Sequence, residues 1–312
     1  MKILVTGGAG FIGSHIVDLL VNDGHDVFVV DNLSSGKKEN VNLKAGFFLL
    51  DLQEHDKINE LFEKKKFDVV YHCAAQIDVR KSVADPLNDA KTNILASLNL
   101  LGLCVKFNVK HFIFSSTGGA IYGDEAHIPS LEYYEANPVS PYGCAKLAIE
   151  KYLNFYNKVY GLKFSCLRYA NVYGPRQNSK GEAGVVAVFF DNMFNNKNPV
   201  IFGGIQTRDF VYVGDVARAN LLALKDKKSN TYNVGTGIET DIIHLFYKMN
   251  DLFGSKFEAG YKEKNKGEQL RSCLCYNKIK KNFGWEPEIK LNDGLEKSYF
   301  WFFNKLNKGL AS

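Results

Sequence analysis

The chain has 312 residues, 39 Lys+Arg against 34 Asp+Glu and a formal net charge of +5, a length that suggests one large or two closely packed domains with a substantial core. So mild a charge, with no dense basic stripe beyond a Glu-Lys-Lys-Lys run at 63–66 that reads as a solvated helix end, argues against nucleic-acid binding. Six cysteines without C-x-x-C spacing, Cys273 and Cys275 being the one close pair, make neither a metal site nor a disulfide framework expected, and without an apolar run of signal-peptide or membrane-span length a soluble, cytoplasmic protein is expected.

In chain order, short apolar runs at 2–7, 26–31, 46–52, 68–75, 111–117 and 164–170 read as strands, separated by amphipathic stretches such as SHIVDLLVND, HDKINELFEKK and NILASLNLLGLCVKF. That alternation marks a parallel sheet with crossover helices. The expected class is α/β, a doubly wound parallel Rossmann sheet with a smaller, mixed C-terminal domain. After residue 171 come a Gly-rich loop (174–184), a helix (185–195) and the piece PVIFGG, whereas RDFVYVGDVARANLLALK and TYNVGTG resume the strand–helix rhythm. The expected division is residues 1–170 plus 212–235 for one domain and 171–211 plus 236–312 for a second that caps the strand ends.

The first strand runs into Gly7, Gly10 and Gly13, spaced G-x-x-G-x-x-G, and then into a helix. Such a turn lets the backbone approach a pyrophosphate and aims a helix N-terminus at the phosphates. Asp31 ends the next strand eighteen residues after Gly13, where a carboxylate takes both ribose hydroxyls of an adenosine. It would repel a 2′-phosphate, so NAD is expected rather than NADP. Asp51, at the end of the third strand, suits either an adenine amino group or a strand-end cap.

Ser140-Pro141 reads as a helix start, and Tyr142 and Lys146, four apart, then share one helix face. An ammonium beside a phenol favours the phenolate, and bringing a tyrosine from about 10 to neutrality takes roughly 4 kcal/mol. The positive charge of oxidised nicotinamide would add to that of Lys146, letting Tyr142 take a proton from a sugar hydroxyl. Ser115, Ser116 and Thr117 end the fifth strand, where such a sheet presents groups to its ligand.

The set TGGAGFIGSH, DNLSSG, HCAAQIDV, SSTGGAIYG, SPYGCAK, RYANVYGPR, TRDFVYVGDVA and YNVGTG resembles the extended short-chain dehydrogenase/reductase family, and within it the UDP-glucose 4-epimerases, over nearly the whole chain. The resemblance implies Tyr142 as general base, Lys146 as its support and holder of the nicotinamide ribose, and Thr117 as the hydroxyl partner, with Ser116 as the alternative. It implies NAD contacts from Gly7, Gly10, Phe11, Ile12, Gly13 and Asp31, then Asn32, Asp51, Leu52, Ala74 and Ala75, and finally Asn93, Ser115, Tyr142, Lys146 and Tyr169. Thr117, Tyr142, Asn171 and Arg208 would hold the sugar nucleotide, with Ser272 beside the sugar C2 substituent, where its small size leaves room for an N-acetyl group. Arg208 has Asp209 and Asp215 as alternative partners. The family's second diphosphate arginine is replaced by Asn265, with Lys264, Lys266 and Arg271 nearby to substitute. Related dehydratases carry an Asp-Glu pair after the catalytic threonine and related decarboxylases a glutamate close by; Gly118 and Gly119 stand here instead, while Asp124 and Glu125 read as a solvated loop. The implied activity is an NAD-dependent nucleotide-sugar 4-epimerase interconverting UDP-glucose and UDP-galactose. UDP-N-acetylglucosamine and UDP-glucuronate 4-epimerases are the rival enzymes, and a non-catalytic NAD sensor or scaffold is the rival class. Apolar positions on helices 86–107 and 142–160, the family's dimer helices, imply a homodimer.

Overall fold

The computed structural model describes residues 1–123, 127–179, 184–263 and 269–310. Asp124, Glu125, Lys264, Asn265 and Lys266 lie outside the described residues.

The chain begins β1 (Lys2–Thr6), α1 (Phe11–Asn22), β2 (Asp26–Asp31), β3 (Gly46–Leu49), α2 (His55–Lys65) and β4 (Val69–His72). There follow α3 (Val79–Ala84), α4 (Pro86–Ala90), a π-helical turn (Lys91–Leu95), α5 (Ala96–Lys106), β5 (His111–Thr117), α6 (Pro141–Tyr160) and β6 (Lys163–Tyr169). Next are β7 (Asn171–Tyr173), α7 (Val185–Phe194), β8 (Val200–Phe202), β9 (Thr207–Arg208), β10 (Phe210–Tyr212), α8 (Val213–Ala223) and β11 (Asn230–Val234). The chain closes with β12 (Thr240–Asp241), α9 (Ile242–Asp251), β13 (Gly260–Lys262), β14 (Arg271–Ser272), α10 (Asn277–Phe283) and α11 (Leu291–Leu310).

Seven strands form one sheet in the order β11-β6-β5-β4-β1-β2-β3, every pairing parallel. Its central strands are continuous apolar runs because helices cover both faces, so Val27, Phe28, Val29 and Val30 are all buried. Val5, Val17, Val29 and Val216 belong to the core on the α1/α8 face; Leu4, Phe62, Val70, Phe112 and Ile149 belong to the one on the opposite face. A third core, with Phe189, Phe190, Phe210, Phe246 and Phe302, lies under the small sheets formed by the later strands. Leu274, Ile279 and Trp285 pack with the first core, so the chain returns to the large sheet once more after β11.

Strand order reverses between β1 and β4, opening a crevice at their C-terminal ends. The runs read as strands at 46–52 and 68–75 both end early there. Asp51 turns the chain by accepting the Gln53 N–H at 2.8 Å. Beyond His72, the Gln76 N–H and C=O pair with the Asn93 side chain at 2.9 and 2.8 Å instead of with a strand.

Candidate active site

Each wall of the crevice has a local cause. The turn after β1 needs glycine at Gly7, which has φ +70° and where a Cβ would sit 2.6 Å from Ala74 N. At Gly13 a Cβ would fall 2.2 Å from the Gly7 carbonyl oxygen, so only glycine lets α1 start this close to β1. Asp31 ends β2 buried, with the Ala9 N–H donating to Oδ2 (3.0 Å) and the Leu33 N–H to Oδ1 (2.8 Å), while burial raises its pKa. One carboxylate thus braces the glycine turn and also faces the cleft.

The cleft has a volume of about 720 Å³. Gly7, Gly10, Phe11, Ile12, Gly13, Asp31, Asn32, Asp51, Leu52, Ala74 and Ala75 line one part, and Ser115, Tyr142, Lys146 and Tyr169 another. Asp51 borders the cleft and accepts hydrogen bonds from Asn32 (2.7 Å) and Gln53. A glycine cradle that any Cβ would fill, a carboxylate at the end of β2 and a crevice at the strand reversal together fit a dinucleotide.

Helix α6 carries the Tyr142–Lys146 pair. Ser140 caps it by accepting the Gly143 N–H at 3.2 Å, Pro141 occupies its first turn and Gly161, at φ +73°, ends it. Lys146 is 4% exposed; its Nζ donates to the Ser115 carbonyl at 2.8 Å and lies 5.8 Å from the centre of the Tyr142 ring. Burial lowers the Lys146 pKa to about 8, leaving it mostly charged at neutral pH. The Ser115 hydroxyl donates to Cys73 Sγ at 3.2 Å and lies 3.1 Å from the Tyr169 hydroxyl. Burial pushes the Cys73 thiol up to about 11, so it stays neutral beside Lys146. Thr117 ends β5 on the face that Ser115 shares.

Two expected site residues have other work. The Ser116 side chain points to the opposite face of β5, as strand alternation requires, and its hydroxyl donates to Glu150 Oε1 at 2.6 Å inside a buried pair with Arg168. Ser116 still borders the cleft, but its hydroxyl is engaged by Glu150 and not by Tyr142. Asn93 sits on the π-helical turn, 4% exposed, with its amide engaged by Gln76 and Asp89; it supports the loop after β4 and does not line the cleft. Arg176, Gln177, Trp301 and Lys305, none of them expected, do line it. They reach the cleft through contacts between distant segments, which no local periodicity signals.

On the other side, β9 and β14 pair in parallel with Arg208 opposite Ser272. A Cβ on Gly119 would lie 3.4 Å from Asn171 Oδ1 and 4.0 Å from Ser272 Oγ, so these three residues adjoin one space. Asn171 Oδ1 is buried without a hydrogen-bond partner among the described residues, an acceptor suited to a ligand hydroxyl or N–H. Arg208 Nη1 donates to the Thr207 and Leu270 carbonyls (2.8 and 3.3 Å). The carboxylates weighed as its partners are engaged elsewhere: Asp209 accepts from Thr236, Gly237 and Leu274, and Asp215 pairs with Arg218 at 3.1 Å. Arg271, expected as a substitute diphosphate contact, is tied to Glu239 at 2.5 Å.

Residues 3–235 match the model of the NAD dependent epimerase/dehydratase family. The chain belongs to that family. It is 46% identical over 303 residues, 97% of this chain and 98% of the other, to a putative UDP-glucose 4-epimerase of Methanocaldococcus jannaschii. It is similar to the crystal structure of a Thermotoga maritima UDP-glucose 4-epimerase with UDP-glucose, at 48% identity and a TM-score of 0.96, covering 98% of this chain and 100% of that one. A Thermus thermophilus UDP-glucose 4-epimerase in complex with NAD is 40% identical with a TM-score of 0.93, covering 97% and 99%. NAD is the family's cofactor, and the cradle, Asp31 and the strand-end crevice are the parts of this chain that suit it. Among the described residues no helix is long and apolar enough to cross a membrane.

Proposed function

We propose that the protein is an NAD-dependent nucleotide-sugar 4-epimerase interconverting UDP-glucose and UDP-galactose through a 4-keto sugar. The observation that carries this reading is that Tyr142 and Lys146 stand on the wall of the same cleft as the glycine turn and Asp31. NAD, when bound, supplies a two-electron acceptor that is regenerated within each cycle. Tyr142 takes the proton from the sugar 4-hydroxyl as C4 is oxidised and returns it to the same oxygen when C4 is reduced from the other face. Lys146 holds positive charge beside the phenolate, fixed by the Ser115 carbonyl. Thr117 hydrogen-bonds the reacting oxygen. Gly118 and Gly119 leave no acid after Thr117 with which to eliminate water, and epimerisation needs none.

Asn171, Arg208 and Ser272 would bind the UDP-sugar, the guanidinium of Arg208 meeting the diphosphate. The sheet lobe, 1–170 plus 212–235, would hold the cofactor, and 171–211 plus 236–312 the nucleotide sugar. A second reading, a UDP-N-acetylhexosamine 4-epimerase, is favoured by one observation: Ser272 and Gly119 leave space beside Asn171. Incubating the purified protein with UDP-galactose and, separately, UDP-N-acetylgalactosamine, without added NAD, and separating the C4 epimers tests both. Conversion of the first supports the main reading; conversion of the second alone supports the other. A homodimer through residues 86–107 and α6 is supported by the exposed apolar side chains of Leu87, Leu95, Tyr152, Phe155 and Val159. A Phe155→Asp protein should then sediment as a monomer. The free thiols suit a cytoplasmic location.

A further inference from the structure

The NAD-binding reading leaves open how the second lobe bears on the cofactor. Residues 174–178 leave β7 as a strap and run beside α1, the helix that follows the glycine turn. Gly174 (φ +147°) and Arg176 (φ +68°) bend it, the latter in a region that disfavours any residue with a Cβ. Arg176 Nη2 pairs with Asp18 Oδ2 at 2.7 Å, and the Nε2–H of His15 donates to the Pro175 carbonyl at 3.0 Å. His15 and Asp18 stand three apart on one face of α1. The Asp18 carboxylate is itself fixed, its Oδ1 accepting from Asn42 at 2.8 Å. Arg176 also borders the cofactor cleft, and its Nη1 is buried with no partner among the described residues, so the pair to Asp18 is what orients the guanidinium. Trp301 and Lys305 of α11 border the same cleft, so two separate segments of the later chain close it.

We propose that Arg176 is a positioning residue that holds the second lobe shut over the bound dinucleotide, its ion pair with Asp18 and the His15–Pro175 hydrogen bond setting the rate at which NAD leaves. The proposal rests on the NAD-dependent epimerase reading. A cofactor that ends each cycle as it began has no catalytic need to depart. The strap reaches from β7 to the helix that carries the glycine turn, so lifting it off the cleft breaks both ties. A tie made only in the closed state acts on release far more than on association.

The test is release of radiolabelled NAD from the purified holoprotein into excess unlabelled NAD, for wild type, Arg176→Met, Asp18→Ala and the double variant. Each single change is expected to speed release about five- to ten-fold, and the double change no more than either alone, because both remove the same pair. The side chains are 26% and 28% exposed, so salt reaches the pair. The wild-type advantage should therefore shrink as salt rises from about 0.05 to about 1 M. A purely structural role would lower the thermal midpoint of the NAD-free variants and leave release and its salt response at wild-type values, and that result overturns the proposal. Wild-type protein that binds no NAD overturns the underlying reading too, so the two failures are distinct.

Discussion

Replacing Lys146 by methionine should abolish activity and yet stabilise the folded protein at neutral pH. Lys146 is 4% exposed and burial moves its pKa from 10.5 to about 8. Carrying the charge in the folded state therefore costs about 3 kcal/mol. Methionine removes the penalty at similar length but leaves the Ser115 carbonyl without its donor, which offsets about 1 kcal/mol or more. The net gain is about 1–2 kcal/mol at pH 7. The pH dependence follows from the sign of the shift. Below about pH 8 both folded and unfolded chains hold the proton, and the penalty is fully present. Between about 8 and 10.5 the unfolded chain binds the proton more than the folded one, so wild-type stability rises with pH relative to the variant by up to about 1.4 kcal/mol per unit. Above that range the penalty is gone and the hydrogen-bond loss alone favours wild type. Urea unfolding of both NAD-free proteins at pH 7 and pH 10 reads this directly, since other titrating groups cancel in the difference. The variant should be the more stable at pH 7 and should lose that lead by pH 10. A variant less stable at pH 7, with a gap that does not change with pH, would refute the reasoning.

Glu150→Gln should destabilise the protein by about 3–5 kcal/mol in the same assay, because Arg168 then stays buried without the carboxylate it meets at 2.6 Å. Gly13→Ala should weaken NAD binding at least ten-fold by calorimetry, since the new Cβ would lie 2.2 Å from the Gly7 carbonyl and α1 must back away from the cradle. Ser272→Tyr should lower kcat/KM for UDP-N-acetylgalactosamine at least ten-fold relative to UDP-galactose by filling the space beside Asn171. Equal losses on both sugars would show that Ser272 does not border the C2 substituent.

The cofactor half of the cleft was legible because its signals are local. A glycine turn between strand and helix, an acid at a strand end and a Ser-Pro helix start each act within a few residues. The alternation of β5 was also legible in principle: with Ser115 and Thr117 on one face, Ser116 had to face the other, and Glu150, one turn beyond Lys146, was there to receive it. Asn93 was not legible. The π-helical turn at Lys91–Leu95 breaks the 3.6-residue period, so no helical spacing foretells that the Asn93 side chain meets Gln76. Arg208 and Ser272 meet through a parallel pairing of two-residue strands sixty-four positions apart, too short to leave a pattern. Arg176 and Trp301 reach the cleft through contacts between segments distant in the chain, which no motif signals.

The most direct measurement is the epimerisation rate of Tyr142→Phe on UDP-galactose at matched NAD occupancy, checked by absorbance of the purified proteins. Wild-type protein should convert UDP-galactose to UDP-glucose, and the variant should be slower by about 10²–10⁴-fold with undiminished NAD content. A variant that epimerises at the wild-type rate, or a wild-type protein that binds NAD and converts no UDP-sugar, would contradict the proposed mechanism.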